Sequence, residues 1–231
     1  MSVIINGATG GVGTSVSCLY AKKGHDLILL GRSIDKLNQL RDSILEKSNV
    51  RVDFYVCDAL EIETIKNCIK EISEELINAS LLINISGIFP YGPFSEEDDT
   101  VFDECFDVNL RLPYLLSKGL FKILKKDGGG KIINIGSSSS YAGFKNTATY
   151  CASKHGLLGL SRALNDEWKA EGVSVHCISP GTIDTEMAGA LTQDKDTYIT
   201  TDEFSELVYD TGKYQGNMIV EEVKVVRKVI K

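Results

Sequence analysis

Short apolar runs alternate along the chain with longer segments that repeat their apolar residues at helical spacing. The early runs, such as DLILLG at 26–31, are almost continuously apolar, which is typical of parallel strands covered on both faces. The alternation predicts an α/β protein with an open, doubly wound parallel sheet and right-handed crossovers. Its ligand site is expected beyond the carboxyl ends of the strands. The predicted strands are residues 2–6, 26–31, 51–57, 80–86, 131–137, 173–179 and 217–226.

A glycine-rich turn follows the first predicted strand. Gly7, Gly11 and Gly13 stand between SVIIN and an amphipathic helix. Glycine lets the backbone turn sharply and approach a ligand closely, and the unpaired N–H groups of a helix N-terminus attract anions. The turn is either a plain connection or the pyrophosphate site of a nucleotide. Its position directly after the first strand favours the nucleotide site.

A tyrosine and a lysine lie four residues apart in YCASK, at 150–154. The surrounding segment, 147–168, repeats leucine at helical spacing and predicts a helix. Residues four apart share one face of a helix, so the Cβ atoms of Tyr150 and Lys154 are expected about 5 to 6 Å apart. The two residues are either an ordinary amphipathic pair or a phenol placed beside a cation for proton transfer.

Composition narrows the class of protein. The 231 residues suit one domain, 1–231, and 43% of them are hydrophobic, which is enough for a sizeable core. The net charge of −7 disfavours broad binding to nucleic acid or to anionic membranes. We find no signal peptide and no membrane-spanning apolar run, and neither the six cysteines nor the three histidines have metal-ligand spacing. We therefore expect a cytoplasmic protein with reduced thiols and without a metal.

The motifs, taken in order from residue 3 to about residue 185, resemble the short-chain dehydrogenase/reductase family. The glycine turn NGATGGVG is similar to the family's TGxxxGxG, and YCASK supplies its YxxxK. Ser137 lies 13 residues before Tyr150, which is the usual separation of the catalytic serine and tyrosine. The resemblance implies a Rossmann-like sheet of about seven strands with helices on both faces, and a nicotinamide cofactor.

Four further segments extend the resemblance. NISG at 84–87 is similar to the family's NNAG, and Asp58 after the third strand resembles its adenine-contacting aspartate. Asn109 matches the helical asparagine, and SPGTIDT at 179–185 resembles PGxxxT.

The chain also departs from the family pattern. Asn6 replaces the usual threonine, Ile85 and Ser86 replace Asn and Ala, and Gly136 stands where many members have a serine. None of these changes removes a reacting group. Since Asn6 can still hydrogen-bond locally, we expect altered loop details and an intact nucleotide site.

The resemblance implies a role for each of four residues. Tyr150 gives a proton to the substrate oxygen in carbonyl reduction or takes one in alcohol oxidation. Lys154 lowers the pKa of that phenol and holds the nicotinamide ribose. Ser137, with Ser138 as the alternative, hydrogen-bonds the carbonyl oxygen as it gains charge. Asn109 shapes the helix around it and anchors a water that passes protons to Lys154.

The choice between the two nicotinamide cofactors depends on the end of the second strand. An acidic residue there binds the ribose of NAD, whereas an arginine accommodates the 2′-phosphate of NADP. The sequence has Gly31 and then Arg32, which favours NADP, while Asp35 keeps NAD as the alternative. The residues expected to bind the cofactor are Gly7, Thr9, Gly11, Val12, Gly13, Arg32, Asp58, Ala59, Asn84, Ser86, Gly87, Tyr150, Lys154, Pro180, Gly181, Ile183 and Thr185.

Substrate selection is expected from three loops. Residues 88–94 and 139–147 carry Tyr91, Phe94 and Phe144, which favour a partly apolar pocket for a small carbonyl compound or secondary alcohol. Residues 185–214 are expected to form a mobile lid. That segment lacks a basic cluster, so a large polyanionic substrate or an acidic carrier protein is not indicated.

Two wider expectations follow from the resemblance. The family commonly assembles through the helices at 109–126 and 150–170, which implies a homodimer or homotetramer. The alternative function is a catalytically silent NADP-binding regulator on the same fold. Such regulators typically lose the tyrosine or the lysine, and both are present here.

Overall fold

The computed structural model describes residues 2–76, 79–126, 128–190, 195–214 and 218–228. Its centre is one sheet of seven parallel strands in the order β3-β2-β1-β4-β5-β6-β7. The predicted doubly wound fold is confirmed. The strands are β1 Ser2–Asn6, β2 Asp26–Gly31, β3 Val52–Val56, β4 Leu81–Asn84, β5 Lys131–Ile135, β6 Ser174–Ser179 and β7 Glu222–Lys224.

Among the described residues, seven α-helices connect the strands and cover both faces of the sheet. Helix α6, which carries the tyrosine and the lysine of the YCASK motif, begins one residue later than the predicted segment and ends at the same residue. None of the described helices is long and apolar enough to cross a membrane. The helices are α1 Gly11–Lys22, α2 Ile34–Leu45, α3 Ile62–Glu75, α4 Asp99–Phe106, α5 Leu112–Leu124, α6 Ala148–Trp168 and α7 Thr201–Lys213.

The hydrophobic core consists of two layers, one on each face of the sheet. Val3 and Ile5 of β1 face the layer that contains α1, α2 and α7, whereas Ile4 faces the layer that contains α3 and α5. Successive side chains of a strand point to opposite faces, so a strand between two layers needs apolar residues at every position. This explains the continuous apolar runs of the central strands.

The last predicted strand, 217–226, is largely wrong. The structure has a strand only at Glu222–Lys224, and residue 217 lies outside the described residues. Among the described strands, this short strand pairs with β6 alone, so it forms an edge of the sheet, and its segment is held by side chains as well. Glu222 accepts hydrogen bonds from the Tyr141 hydroxyl and from the Arg162 guanidinium.

The predicted lid at 185–214 is wrong in its second half. Residues 201–213 form α7, which packs along α1, and its Phe204 and Val208 are buried in the core. A helix that contributes two buried side chains to the core is part of the scaffold. Before α7, Ile199 forms a bridge with Ile183, and residues 191–194 of the predicted lid lie outside the described residues.

Candidate active site

The glycine turn closes tightly between β1 and α1. Gly7 has a φ of +79°, in the left-handed region that favours glycine. A Cβ atom on Gly13 would overlap the carbonyl oxygen of Gly7, so the helix can start here only without a side chain at that position. The predicted requirement for glycine therefore has a steric cause at these two positions.

The N-terminus of α1 offers unpaired donors to the cavity above it. Its N-cap is Gly10, which has no side chain to cap the helix, and its first turn contains no acidic residue. Gly11, Val12 and Gly13 line the cavity at this point. The free N–H groups and the helix dipole make this a site for an anion such as a pyrophosphate.

A second segment closes over the glycine turn from the far side of the sheet. Pro180, Gly181, Ile183 and Thr185 follow β6 and line the cavity. A Cβ atom on Gly11 would lie 3.1 Å from the Thr185 methyl group, so the two segments almost touch. The anion site is therefore enclosed from two directions.

The opposite end of the cavity, at β2 and β3, carries basic side chains. Arg32 lines the cavity at the end of β2, and Lys36 joins it from the first turn of α2. Asp35, the residue that kept NAD as an alternative, is absent from the lining. Asp58 and Ala59, which follow β3, line the same end. Sequence reasoning missed Lys36.

Tyr150 and Lys154 meet at the middle of the cavity. Both line it, and the lysine Nζ lies 5.9 Å from the centre of the tyrosine ring. The Lys154 ammonium donates a hydrogen bond to the Ile135 carbonyl oxygen, at 2.9 Å. Phe89 packs edge-on against the tyrosine ring, with 4.7 Å between the ring centres. The phenol is therefore confined between an aromatic wall and a cation.

Burial controls the pKa of both groups. It raises the pKa of Tyr150 to about 12, against a smaller opposite effect of the neighbouring Ser137 side chain. It lowers the pKa of Lys154 to about 8. The raised pKa of Tyr150 runs against the expected lowering by Lys154, because the loss of hydration is the largest effect on the phenol. Tyr150 is therefore a neutral phenol that can give a proton.

The serine run at 137–140 forms a turn that fixes one hydroxyl beside the phenol. Ser137 Oγ accepts from the Ser139 backbone N–H at 3.1 Å, and Ser140 Oγ accepts from the Ser137 N–H. The Ser137 side chain also contacts Tyr150 and lowers its pKa. Ser138 lines the cavity too, but no such contact is found for it among the described residues. The geometry favours Ser137 over Ser138.

Asn109 lies behind the site and does not line the cavity. It is fully buried in a π-helical turn, Asp107–Arg111, between α4 and α5. Its Oδ1 accepts from the Ile88 N–H at 2.9 Å, and its Nδ2 donates to the Ile88 carbonyl at 3.1 Å and to Ser153 Oγ at 3.0 Å. The asparagine thus ties the loop after β4 to α6.

Two other predicted residues lie away from the cavity. Asn84 is buried at the end of β4, outside the cavity lining, and its side chain bonds to the side chains of Asn6 and Asn134. Phe94 is exposed outside the lining, whereas Tyr91 and Phe144 form part of the wall, as predicted. Phe89, which the sequence analysis did not single out, completes that wall.

The cavity has a volume of about 1550 Å³ and joins the regions just described. Its walls include Ser137 and every residue predicted to bind the cofactor except Asn84. Such a volume exceeds the usual range for a site that holds one small molecule, and it suits a dinucleotide with a substrate beside it. The doubly wound sheet, the glycine turn and this cavity define a nucleotide-binding α/β protein of the Rossmann-like type.

Comparison with known proteins identifies the family. The sequence model of the short chain dehydrogenase family matches residues 1–196. The 3-oxoacyl-acyl-carrier-protein reductase FabG of Rickettsia typhi is 32% identical over 190 residues, which are 82% of this chain and 76% of that protein. The 2-dehydro-3-deoxy-D-gluconate 5-dehydrogenase of Pseudoalteromonas atlantica is 28% identical over 193 residues, 84% of this chain and 76% of that protein. The chain belongs to the short-chain dehydrogenase family, as predicted.

A solved structure agrees with this assignment. It is a protein from Beutenbergia cavernae described as an NAD(P)-dependent gluconate 5-dehydrogenase, with NADP bound at low occupancy. It is 26% identical, and it superimposes with a TM-score of 0.88 over 96% of this chain and 94% of its own.

Proposed function

We propose that the protein is an NADP(H)-dependent oxidoreductase that interconverts a carbonyl group and a secondary alcohol. The observation that carries this proposal is the meeting of Ser137, Tyr150 and Lys154 in one cavity with the glycine turn. Family membership and the NADP complex of the Beutenbergia cavernae protein support it. Nothing in the comparisons supports the silent regulator, and the site retains the tyrosine and the lysine that such a regulator typically lacks.

The residues of the cavity fit the cofactor. The N-terminus of α1 would hold the pyrophosphate, Asp58 and Ala59 would hold the adenine end, and Lys154 would hold the nicotinamide ribose. When bound, the cofactor supplies or accepts the hydride, so the protein contributes positioning, proton transfer and electrostatics.

Tyr150 moves the proton. Its buried phenol is neutral in the free protein and gives its proton to the substrate oxygen during reduction. Ser137 places a second hydroxyl beside the phenol, where it stabilises the oxygen as charge develops. Lys154 keeps a cation next to the tyrosine because its ammonium is anchored on the Ile135 carbonyl. The three groups therefore have distinct roles. Tyr150 is the acid, Ser137 hydrogen-bonds the substrate oxygen, and Lys154 supplies the positive charge.

The activity can be tested by following NADPH consumption with a panel of carbonyl compounds. The panel should include 3-oxoacyl thioesters and keto derivatives of gluconate, since the named relatives act on related compounds. Turnover of one compound that requires Tyr150 supports the proposal. Tight NADP binding without turnover of any compound would instead favour the silent regulator.

The basic side chains at the end of β2 support NADP over NAD. Arg32 and Lys36 both line the cavity, and neither forms an ion pair with another described residue. A guanidinium and an ammonium together match the charge of a 2′-phosphate. Lys36 supplies the second base that the glycine loop lacks.

Replacing Arg32 by alanine is expected to weaken NADP binding by about 10- to 100-fold, because a charge-assisted hydrogen bond contributes about 1.5 to 3 kcal/mol. NAD has no 2′-phosphate, so its affinity should change little. Calorimetric titration of both cofactors measures the two effects. Asp35→Ala is the matched control, since Asp35 lies three residues after Arg32 but outside the cavity lining. Equal losses for NADP and NAD would contradict the assignment of Arg32 to the phosphate.

The rate of alcohol oxidation is expected to rise with pH between pH 6 and pH 9. Oxidation needs the deprotonated tyrosine, and burial raises the pKa of Tyr150 to about 12, so the phenolate is scarce at neutral pH. Its fraction grows about tenfold for each unit of pH below the pKa. Initial rates of NADP reduction with an accepted alcohol, measured as kcat/KM, test this. A rate that falls over the same range would contradict proton acceptance by Tyr150.

The substrate is proposed to be a small carbonyl compound or alcohol that packs against aromatic side chains. Phe89 and Tyr91 are stacked, with 5.9 Å between their ring centres, and Phe144 lies on the wall of the same cavity. Lys145 and Arg227 line this cavity as well. The wall therefore combines apolar surface with cations that can bind a carboxylate or another polar group of the substrate.

We also propose a homodimer or homotetramer that uses the outer faces of α4, α5 and α6. Phe102 of α4 and Tyr114 of α5 are exposed aromatic residues, and such residues are enriched at protein interfaces.

The six free thiols fit the reducing cytoplasm proposed as the location of the protein.

A further inference from the structure

A chain of buried hydrogen bonds crosses the sheet beneath the cavity. It runs through Asn6, Asn84 and Asn134, which lie side by side at the carboxyl ends of β1, β4 and β5. These three side chains are at most 2% exposed. Ser86, on the cavity wall, forms one end of the chain, and Ser161 of α6 forms the other.

The Ser161 end of the chain, on α6, fixes which atom donates and which accepts in the first hydrogen bonds. The Leu157 carbonyl can only accept, so the Ser161 hydroxyl donates to it, at 2.7 Å. Ser161 Oγ then has lone pairs but no further proton, and Asn134 Nδ2 donates to it at 2.9 Å. The nitrogen of the Asn134 amide therefore faces α6, and its Oδ1 faces Asn84.

The remaining hydrogen bonds between Ser161 and the cavity have the same order of donor and acceptor. Asn84 Nδ2 donates to Asn134 Oδ1 at 2.8 Å, and Asn6 Nδ2 donates to Asn84 Oδ1 at 3.4 Å. Asn6 Oδ1 is left facing Ser86 and accepts the proton of its hydroxyl at 2.8 Å. Because a serine hydroxyl has a single proton, Ser86 Oγ has only lone pairs left for a further partner, and Ser86 lines the cavity.

We propose that Ser86 Oγ is an obligate hydrogen-bond acceptor that recognises a ribose hydroxyl of the bound dinucleotide, with Asn6 as its positioning residue. The inference rests on the NADP site proposed above. A ribose hydroxyl has a proton to donate, whereas a deprotonated phosphate oxygen has none and would meet lone pairs. Ser86 lies directly against Gly7, so this acceptor stands beside the glycine turn.

Two successive residues of β5 connect this network to the reacting groups. The Asn134 side chain holds Ser161, and the Ile135 carbonyl holds Lys154. Both contacts are to α6, two helical turns apart. The acceptor on the cavity wall and the catalytic lysine are therefore positioned by the same strand and the same helix.

The proposal is tested by titrating NADP⁺ into wild-type protein, Ser86→Ala, Asn6→Ala and the double variant. Loss of one hydrogen bond is expected to raise the Kd of Ser86→Ala by about three- to tenfold. If Asn6 acts through Ser86, Asn6→Ala raises the Kd in the wild-type background but not in the Ser86→Ala background. A purely structural role would weaken binding in both, so thermal unfolding of each variant is measured alongside.

A second ligand locates the hydroxyl. If Ser86→Ala loses as much affinity for 2′,5′-ADP as for NADP⁺, the hydrogen bond is assigned to the adenosine ribose. If it loses affinity for NADP⁺ alone, the bond is assigned to the nicotinamide ribose. An unchanged Kd for Ser86→Ala, in wild-type protein shown to bind NADP⁺, overturns this inference and leaves the proposed function intact. Wild-type protein that binds no NADP⁺ overturns both.

Discussion

Replacement of Tyr150 by phenylalanine is expected to lower turnover by about 100- to 10,000-fold, the usual contribution of a positioned acid or base. The variant keeps the aromatic ring, so its packing against Phe89 is retained. It loses only the hydroxyl, which is the group that gives or takes the proton. The Kd for NADP should stay within about twofold, because the change removes a proton donor and leaves the cofactor walls in place.

Tyr141→Phe is the matched control for this experiment. Tyr141 lies nine residues before Tyr150, it is half-buried, and its hydroxyl donates to Glu222 outside the cavity. Removing that hydroxyl should leave turnover close to that of the wild type. Steady-state rates and NADP titrations of both variants separate the two tyrosines. A Tyr150→Phe variant with a near-normal rate would exclude Tyr150 from proton transfer.

The sequence predicts the centre of this fold better than its edge. β1 and β2 have the predicted bounds because each lies between two layers of helices, which requires an apolar residue at every position. The predicted strand 217–226 is much longer than Glu222–Lys224. The alternating pattern covers the whole of 217–226, but the ladder with β6 joins only Glu222–Lys224 to Cys177–Ser179, and pairing of this kind is set by the neighbouring strand.

The candidate site shows a similar division. Tyr150 and Lys154 share a helix face, so local spacing suffices to place them together. Lys36 and Phe89 come from a helix start and a loop, and their approach to the cavity depends on tertiary packing. Asn84 occupies the position of a family motif, yet its amide is turned to the neighbouring strands. Motif position alone does not give the direction of a side chain.

Replacement of Lys154 by methionine is expected to remove most of the turnover and, by eliminating a buried charge, to change how stability depends on pH. The ammonium is the cation beside Tyr150, and its long side chain is held by the Ile135 carbonyl. Methionine keeps much of the volume but neither the charge nor the donor. Turnover is expected to fall by about 100-fold or more. Lys118→Met, at an exposed position of α5, is the control and should leave turnover unchanged.

The pH dependence tests the buried charge independently of catalysis. Burial lowers the pKa of Lys154 from 10.5 to about 8, so the folded protein loses this proton before the unfolded chain does. Between these values the unfolded chain binds more protons, and the free energy of unfolding therefore rises with pH. The wild type should gain about 1 to 3 kcal/mol relative to Lys154→Met between pH 7 and pH 10. Urea unfolding of both proteins across this range measures the gain, and a constant difference would show that folding does not lower the pKa of Lys154.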